Sequence, residues 1–376
     1  MNNAITLEDK EVLIDFIRST DMYTNGVKVV EFEQAWSDWL GSKYSLFVSS
    51  GSTANSLLLS AVKELYKIPD GSKVLVPACT WVTNVSPVIQ LGLEPVFCDI
   101  NLRDFSFDQS VLPNDPDIRI VFVTHLLGIN APIEVFKKKY PQAIFIEDIC
   151  ESHGVTDDQG VKRGSTSSVG STFSFYYGHH MTTIEGGVIS TNNIELYELM
   201  KIKRSHGMAR NHNPEIFKEV SAKYPHIDPR FLFLTDGYNF RNTELAAVLG
   251  ICQLKRLDES IRIRKRNFSR FMVTLDPTRF YVPTLAETNS SFCLPIICKK
   301  ADEMPKIKKL LDDNSIENRP IVAGNLLLHP FLEKWKNSVK VPNANILNYN
   351  GVYVGNSQFV TDEMVDSLVT LLLNNI

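Results

Sequence analysis

The chain has 376 residues, of which 44% are apolar and 22% charged, and its formal net charge is -4. This length exceeds the usual span of one domain, so we predict a larger domain over residues 1–254 and a smaller one over residues 255–376. A slightly acidic chain gives no electrostatic footprint for polyanions, and we expect no nucleic-acid partner.

The first 21 residues carry acidic side chains within their first ten positions and contain no unbroken apolar run. They predict neither a signal peptide nor a membrane anchor, so we expect a cytoplasmic protein without a membrane partner. The six cysteines are scattered and form no Cys-x-x-Cys pair. This distribution is typical of reduced core thiols and argues against a metal or iron–sulfur centre.

Helical patterns alternate with short apolar runs from Gly41 to about Thr191, which predicts an α/β fold with a mostly parallel sheet. Ser56–Tyr66 is the clearest helix, because its apolar residues recur at intervals of three and four. The predicted strands are Ser45–Ser49, Lys73–Val76, Glu94–Cys98, Arg119–Val123, Ala143–Glu147, Ser171–Phe175 and Gly187–Ser190.

Beyond about Leu254 the pattern changes to a smaller α+β unit. It opens on a long, basic and hydrophobic helix over residues 257–272. One strand and two further helices are predicted after it, at Phe292–Ile297, Ala301–Asn314 and Thr361–Asn374.

Unusual side chains follow four of the predicted strands. Trp81, His125 and Asp148 each come after a different strand, and the turn Tyr177–His180 follows a fourth. Because ligands bind beyond the carboxyl ends of parallel strands, these residues predict a site at that edge of the sheet.

A Gly/Ser-rich turn, Ser49–Asn55, joins a strand to a helix. Backbone amides at a helix N-terminus, assisted by hydroxyls, bind phosphate groups, which is one interpretation of this turn. Simple N-capping by Ser52 or Thr53 is the alternative.

An apolar strand ends in two acidic residues, Glu147 and Asp148, with Glu151 three residues further on. A carboxylate fixed at a strand end raises the pKa of a nearby pyridine nitrogen and so holds it protonated, which makes the ring an electron sink. The alternative for Asp148 taken alone is a helix N-cap.

The adjacent His179 and His180 leave a strand into a turn, and Glu185–Gly187 returns the chain to the next strand. A histidine titrates near neutral pH and is a natural general base. A metal site is the weaker alternative, because adjacent side chains on an extended segment point apart and no third ligand is indicated.

From about residue 20 to the C-terminus, the order and spacing of short motifs resemble the DegT/DnrJ/EryC1/StrS family of sugar aminotransferases. The resemblance implies a fold type I, aspartate-aminotransferase-like protein that uses pyridoxal phosphate and works as a homodimer with shared active sites. The motifs are SSGSTAN (49–55), PACTW (77–81), IEDICES (146–152), FSFYYGHH (173–180) with EGG (185–187), SHG (205–207) and GYNFRN (237–242).

The resemblance also implies roles for single residues. Ser52, Thr53 and Ser174 would hold the cofactor phosphate, Trp81 would stack on the pyridine ring, and Asp148 would pair with the ring nitrogen. The alternatives are a core position for Trp81 and a strand cap for Ser174.

Five further positions complete the site that the resemblance implies. Glu151 is expected at the cofactor, and Asn239 is expected to reach the cofactor phosphate of the neighbouring subunit, with a plain turn residue as the alternative. His206 and Arg210 are candidates for binding the carboxylates of L-glutamate or orienting the substrate, and Arg319 is a candidate for binding the substrate. For Arg210 a structural surface ion pair is the alternative.

One departure from the family pattern bears on the chemistry, because His179 stands where the aminotransferases carry the cofactor-anchoring lysine. An imidazole has no primary amine to form an imine, but it still transfers protons. This replacement resembles a branch of the family that removes the 3-hydroxyl of nucleotide-linked sugars. Glu151 replaces the usual glutamine as in that branch, whereas Gly178 stands where the branch carries serine.

We therefore expect a 3-dehydratase that uses pyridoxal and pyridoxamine phosphate with L-glutamate and converts a nucleotide-linked 4-keto-6-deoxy sugar to its 3-deoxy form. The resemblance favours GDP as the nucleotide, on a hexose or a heptose. An aminotransferase with another base is the main alternative. A non-catalytic ligand sensor is disfavoured, because a sensor needs no electron sink.

Overall fold

The computed structural model describes residues 5–375, and its larger sheet has seven strands in the order β1-β7-β6-β5-β4-β2-β3. All neighbours in this sheet are parallel except that β7 runs antiparallel to β1 and β6. Each predicted strand is present within one residue of its predicted ends. They are β1 (Tyr44–Val48), β2 (Lys73–Pro77), β3 (Glu94–Cys98), β4 (Ile118–Thr124), β5 (Ile144–Asp148), β6 (Gly170–Ser174) and β7 (Gly187–Thr191).

Helices cover much of the remaining described chain. They are α1 (Leu7–Ser19), α2 (Val27–Leu40), α3 (Gly51–Leu65), α4 (Ser86–Gln90), α5 (Ile133–Lys139), α6 (Ile194–Lys203), α7 (Pro214–Lys223), α8 (Glu244–Leu254), α9 (Leu257–Thr274), α10 (Met304–Asp313), α11 (Pro342–Asn350) and α12 (Asp362–Asn375).

Helix α3 begins at Gly51, five residues before its predicted start at Ser56. The earlier start has a local cause, since the side chains of Ser50 and Thr53 each bond the backbone amide of the other in a capping box. The Gly/Ser turn is therefore the first turn of the helix itself.

The smaller sheet is antiparallel, with the order β8-β10-β9, and consists of β8 (Cys293–Ile297), β9 (Asn318–Pro320) and β10 (Gly351–Gly355). The helix predicted over Ala301–Asn314 is divided into a short 3-10 turn and α10. Pro305 lies in the first turn of α10, where its missing N–H is not needed.

One apolar cluster joins the two sheets, with Ile120 and Ile146 from the larger sheet and Ile296 and Val352 from the smaller one. This packing places β10 and α9 against the carboxyl edge of the larger sheet. The domain boundary predicted after Leu254 coincides with the end of α8 and stays a prediction. No helix in residues 5–375 has the length and apolar character that a bilayer crossing needs.

Candidate active site

A cavity of about 1160 Å³ opens at the carboxyl ends of β5 and β6. Its walls include Asp148 and Glu151 after β5, Ser174 and His179 at and after β6, and Arg264 of α9. This volume exceeds what a small cofactor alone needs, since ligand pockets span roughly 300–1,000 Å³. The strand-end residues predicted to lie together therefore share one cavity, with the exception of His180.

The N-terminus of α3 forms one wall through Gly51 and Ser52. A Cβ atom on Gly51 would lie 2.6 Å from Ser174 Cβ and 2.9 Å from Cys150 Sγ, so only glycine fits. The first amides of a helix have no intrahelical acceptor and carry the positive end of its dipole. The wall is thus an anion cradle in which Ser52 and Ser174 add hydroxyl groups.

Thr53 lies outside the cavity wall. Its hydroxyl donates to the Ser50 carbonyl at 2.9 Å and accepts from the Ser50 amide at 2.9 Å. The N-cap of α3 is Ser50, and Thr53 is its capping-box partner at the third helical position, so neither Ser52 nor Thr53 is the N-cap; the phosphate contact of Thr53 stays a prediction.

Three N–H groups fix the buried carboxylate of Asp148. Asn55 Nδ2 and Asn84 Nδ2 each donate to Oδ2 at 2.9 Å, and the Cys150 amide donates to Oδ1 at 2.9 Å. An ionised carboxylate has about four acceptor positions. The Cys150 thiol also hydrogen-bonds this carboxylate. A protonated pyridine nitrogen in the cavity would be a stronger donor and would take the place of that thiol.

The two asparagines are themselves oriented by threonines. Thr172 Oγ1 donates to Asn55 Oδ1 and Thr80 Oγ1 donates to Asn84 Oδ1, both at 2.6 Å. These bonds force each amide to present its NH₂ group to Asp148. Sequence reasoning missed both asparagines as site residues, although Asn55 lies in a motif that it singled out.

Trp81 lines the cavity, and 52% of its surface is exposed. The alternative of a core tryptophan is therefore wrong. A ligand ring entering the cavity finds an aromatic side chain available for stacking.

His179 and His180 face different surroundings. His180 is buried, and its Nε2 lies 3.2 Å from the Ser290 carbonyl. His179 lines the cavity, with its ring centroid 5.4 Å from that of Phe292. Its Nδ1 is buried and has no hydrogen-bond partner in the described chain, so Nε2 is the nitrogen available to a ligand.

Burial and the positive charge of Arg264 together lower the pKa of His179 to about 3. The imidazole is therefore neutral at physiological pH, whereas the sequence predicted titration near neutrality. It is in the form that accepts a proton, but it is a weaker base than a solvated imidazole. A cavity thus combines an anion cradle, a fixed carboxylate, an aromatic face and a neutral base.

A family model described as the DegT/DnrJ/EryC1/StrS aminotransferase family matches residues 3–373. The chain belongs to this family. A family relative, GDP-4-keto-6-deoxy-D-mannose 3-dehydratase of Yersinia pseudotuberculosis, is 33% identical over 98% of this chain and 96% of its own. GDP-perosamine synthase of Caulobacter vibrioides is 26% identical over 97% of this chain and 94% of its own.

A solved structure of GDP-4-keto-6-deoxymannose-3-dehydratase, holding a trapped PLP-glutamate geminal diamine, matches the fold with a TM-score of 0.87. Its sequence identity is 29%, and the match covers 99% of this chain and 98% of the other. The predicted family and the predicted fold type I architecture are both confirmed.

Glu151 lines the cavity, at the position where the resemblance to the aminotransferases predicted a glutamine. Its Oε2 accepts the Leu127 amide at 3.2 Å, and the described residues provide it with no ion pair to a cation. Burial, assisted by the negative charge of Asp148, raises the pKa of Glu151 to about 7. The carboxyl group therefore gains and loses its proton near neutral pH.

We expect Glu151→Gln to change the pH dependence of stability of the cofactor-free protein. The folded state holds this proton more tightly than the unfolded chain, whose pKa is 4.5. The contribution of Glu151 to stability is therefore complete below pH 4.5 and is lost as the pH rises through about 7.

Urea unfolding of both proteins between about pH 5 and 8 tests this expectation. The unfolding free energy of the variant should rise relative to that of the wild type as the pH rises. The difference between the two should become constant above neutrality. Buried histidines titrate in both proteins, so they cancel in the difference. A difference in unfolding free energy that does not vary with pH would contradict the assignment.

Arg319 also lines the cavity. It forms an ion pair with Glu317 at 2.8 Å and lies opposite Tyr353, which also lines the cavity, on the neighbouring strand β10. A cation and an aromatic ring in the cavity wall suit a charged, ring-containing group.

His206, Arg210 and Asn239 are family positions that do not line the cavity of their own chain. The two segments that carry them are joined, since Ser205 and Asn239 form a β-bridge and the His206 amide donates to the Tyr238 carbonyl at 2.7 Å. His206 also has a left-handed backbone with φ of 64°. The structure therefore places these predicted residues on a separate surface.

Proposed function

We propose that this chain is a 3-dehydratase, a lyase that uses pyridoxal phosphate and L-glutamate to convert a GDP-linked 4-keto-6-deoxy sugar to the 3-deoxy-4-keto sugar. The single observation that carries the proposal is His179 in a cavity that retains Asp148 and Trp81. No lysine lines that cavity in residues 5–375. The relative with the dehydratase name is also more similar than the perosamine synthase.

The residues present fit pyridoxal phosphate. The cradle of Gly51, Ser52 and Ser174 suits its phosphate, and the carboxylate of Asp148 suits its ring nitrogen. Trp81 offers a face for its ring. When bound, this cofactor supplies an aldehyde that takes up the amino group of L-glutamate and a ring that accepts electrons.

His179 carries the proton transfers in both halves of the reaction. In the amino-acid half it accepts the α proton of L-glutamate, and 2-oxoglutarate leaves. In the sugar half it acts again as the base while the C3 hydroxyl departs as water. Overall, the 4-keto sugar and L-glutamate give the 3-deoxy-4-keto sugar, 2-oxoglutarate and ammonia. The water that is released is matched by the water that hydrolysis consumes. Because no lysine competes for the cofactor, nothing in the described cavity tethers it covalently.

The proposed substrate enters with its sugar toward His179 and its nucleotide toward Arg319. The volume of the cavity, about 1160 Å³, and its lining by residues of β10 and α12 support this arrangement. The sugar is a hexose or a heptose, and the product would serve polysaccharide biosynthesis.

We further propose a homodimer with shared active sites. Phe231 and Phe233 are 57% and 53% exposed, and they lie near the segment of Asn239. Burial of such apolar surface favours association with a second copy. In that assembly Asn239, with His206 and Arg210, would reach the cofactor and ligands of the partner subunit.

Product analysis tests the proposed function. The purified protein, loaded with pyridoxal phosphate, is incubated with L-glutamate and GDP-4-keto-6-deoxy-D-mannose. The expected products are a 3-deoxy-4-keto sugar and ammonia, together with 2-oxoglutarate. An amino sugar formed without ammonia would instead identify the aminotransferase alternative, and the absence of 2-oxoglutarate would exclude both enzymes.

A further inference from the structure

Four lysine or arginine residues are almost completely buried in residues 5–375. Three of them have carboxylate partners: Arg163 pairs with Glu134, Arg204 with Glu33, and Lys203 with both Glu64 and Asp236. The fourth, Arg264, has no carboxylate within ion-pair distance in that part of the chain. A buried charge without a counter-ion is costly.

Arg264 is held by neutral groups. Its Nη1 donates to the carbonyls of Phe292 and Asn356, its Nη2 lies 3.5 Å from the His179 carbonyl, and its Nε lies 3.4 Å from Ser260 Oγ. A guanidinium group has five N–H donors. Four are thus directed at these oxygens, and one donor on Nη2 remains.

Arg264 also forms part of the cavity wall. Its remaining donor and its uncompensated charge therefore belong to the same space as His179. An anionic group of a ligand would supply the missing counter-ion at the point where the structure provides a donor.

We propose that Arg264 binds the α-carboxylate of the amino-acid co-substrate. This inference rests on the proposed function, because it concerns the same cavity and its glutamate half-reaction. It assigns to Arg264 a ligand that sequence reasoning gave to His206 and Arg210, neither of which lines the cavity of its own chain; in the proposed homodimer those two residues would reach the cavity of the partner subunit.

The position of Arg264 selects the α-carboxylate among the anions that enter the cavity. The cofactor phosphate has its own cradle at the N-terminus of α3. The diphosphate of a sugar nucleotide is several bonds away from the reacting sugar carbon. The α-carboxylate, by contrast, is attached to the carbon whose proton His179 accepts, and Arg264 directly contacts the backbone of His179.

The test compares two amines in the absence of sugar. L-glutamate and 4-aminobutyrate differ only in the α-carboxylate, and the conversion of bound pyridoxal phosphate to its amine form is followed by absorbance. We expect Arg264→Met to slow the conversion by L-glutamate about 10- to 100-fold, as is typical for loss of a hydrogen bond between charged groups. Loss of the Arg264 charge also changes the basicity of His179, which affects both amines alike, so conversion by 4-aminobutyrate should fall much less than conversion by L-glutamate.

The ratio of the two conversion rates, with L-glutamate and with 4-aminobutyrate, does not depend on the fraction of folded protein. Arg264→Lys retains a charge and a donor, and we expect its ratio to lie between those of the wild type and Arg264→Met. Arg262→Met, on the exposed face of the same helix, is the matched control and should leave the ratio unchanged. An equal loss with both amines would overturn the assignment.

Supplying pyridoxamine phosphate together with the keto-sugar bypasses the glutamate half-reaction. Arg264→Met should then lose much less of its deoxysugar formation than of its L-glutamate conversion, because only the changed basicity of His179 affects the sugar half-reaction. A loss as large as that with L-glutamate would also overturn the inference. If wild-type protein converts L-glutamate but dehydrates no sugar, the proposed function fails while the Arg264 assignment stands. The two failures are therefore distinguishable.

Discussion

Replacing His179 by asparagine is expected to reduce deoxysugar formation by about 10²- to 10⁴-fold, the usual contribution of a general acid–base group. Asparagine has a comparable size and keeps polar atoms at the cavity wall, but it has no proton-accepting nitrogen. Initial rates of 2-oxoglutarate and deoxysugar formation measure the loss. Both should fall, because His179 is the proposed proton carrier in both halves of the reaction.

The cofactor pocket itself should survive in this variant. The cradle at α3 and the carboxylate of Asp148 do not contact the His179 side chain through any hydrogen bond in the described chain. Retention of pyridoxal phosphate after gel filtration is therefore the control. Deoxysugar formation at the wild-type rate would refute His179 as the base.

Borohydride reduction tests whether the cofactor forms a covalent imine with the chain at the same position. No lysine lines the cavity in residues 5–375, so reduction of the wild-type protein should leave the cofactor unattached to the chain. In His179→Lys, a primary amine is available, and mass spectrometry should find cofactor attached at residue 179. Attachment at any lysine of the wild-type protein would contradict the proposed chemistry.

The second large effect is expected from Asp148→Asn. A nearby carboxylate raises the pKa of a pyridine nitrogen by about 1–3 units, and each unit changes the protonated fraction tenfold. We therefore expect an activity loss of about 10- to 1000-fold. The neutral side chain also places an NH₂ group against donors from Asn55, Asn84 or Cys150, which weakens the network around it.

Activity and the absorbance spectrum of the bound cofactor, measured across pH, separate these two causes. Loss of ring protonation shifts the pH dependence of the spectrum, whereas a merely damaged network lowers cofactor retention. Asp38→Asn, at an exposed position of α2, is the matched control. An unchanged spectrum together with unchanged activity would show that Asp148 does not contact the ring nitrogen.

Local sequence patterns were sufficient to predict the strands of the larger sheet and the family. The seven strands of the larger sheet were predicted within one residue at each end, because apolar runs bounded by Gly, Pro and polar residues are a short-range signal. The family motifs likewise lie in short continuous segments. The replacement of lysine by His179 was visible for the same reason.

The start of α3 shows where local reasoning was incomplete. The hydroxyls of Ser50 and Thr53 satisfy amides at the helix end, and this capping moved the start five residues earlier and took Thr53 away from the cavity. The sequence contained both interpretations of the turn. Only the hydrogen-bond geometry showed that the N-cap is Ser50.

The sequence by itself thus determined the fold, the family and the presence of an acid and a histidine near the strand ends. Only the tertiary structure decided which other residues complete the site. Asn55 bonds Asp148 across 93 positions, and Arg264 contacts His179 across 85. No periodic pattern in the sequence predicts either contact. Such contacts depend on how the helices pack against the sheet and on which buried polar groups then need a hydrogen-bond partner.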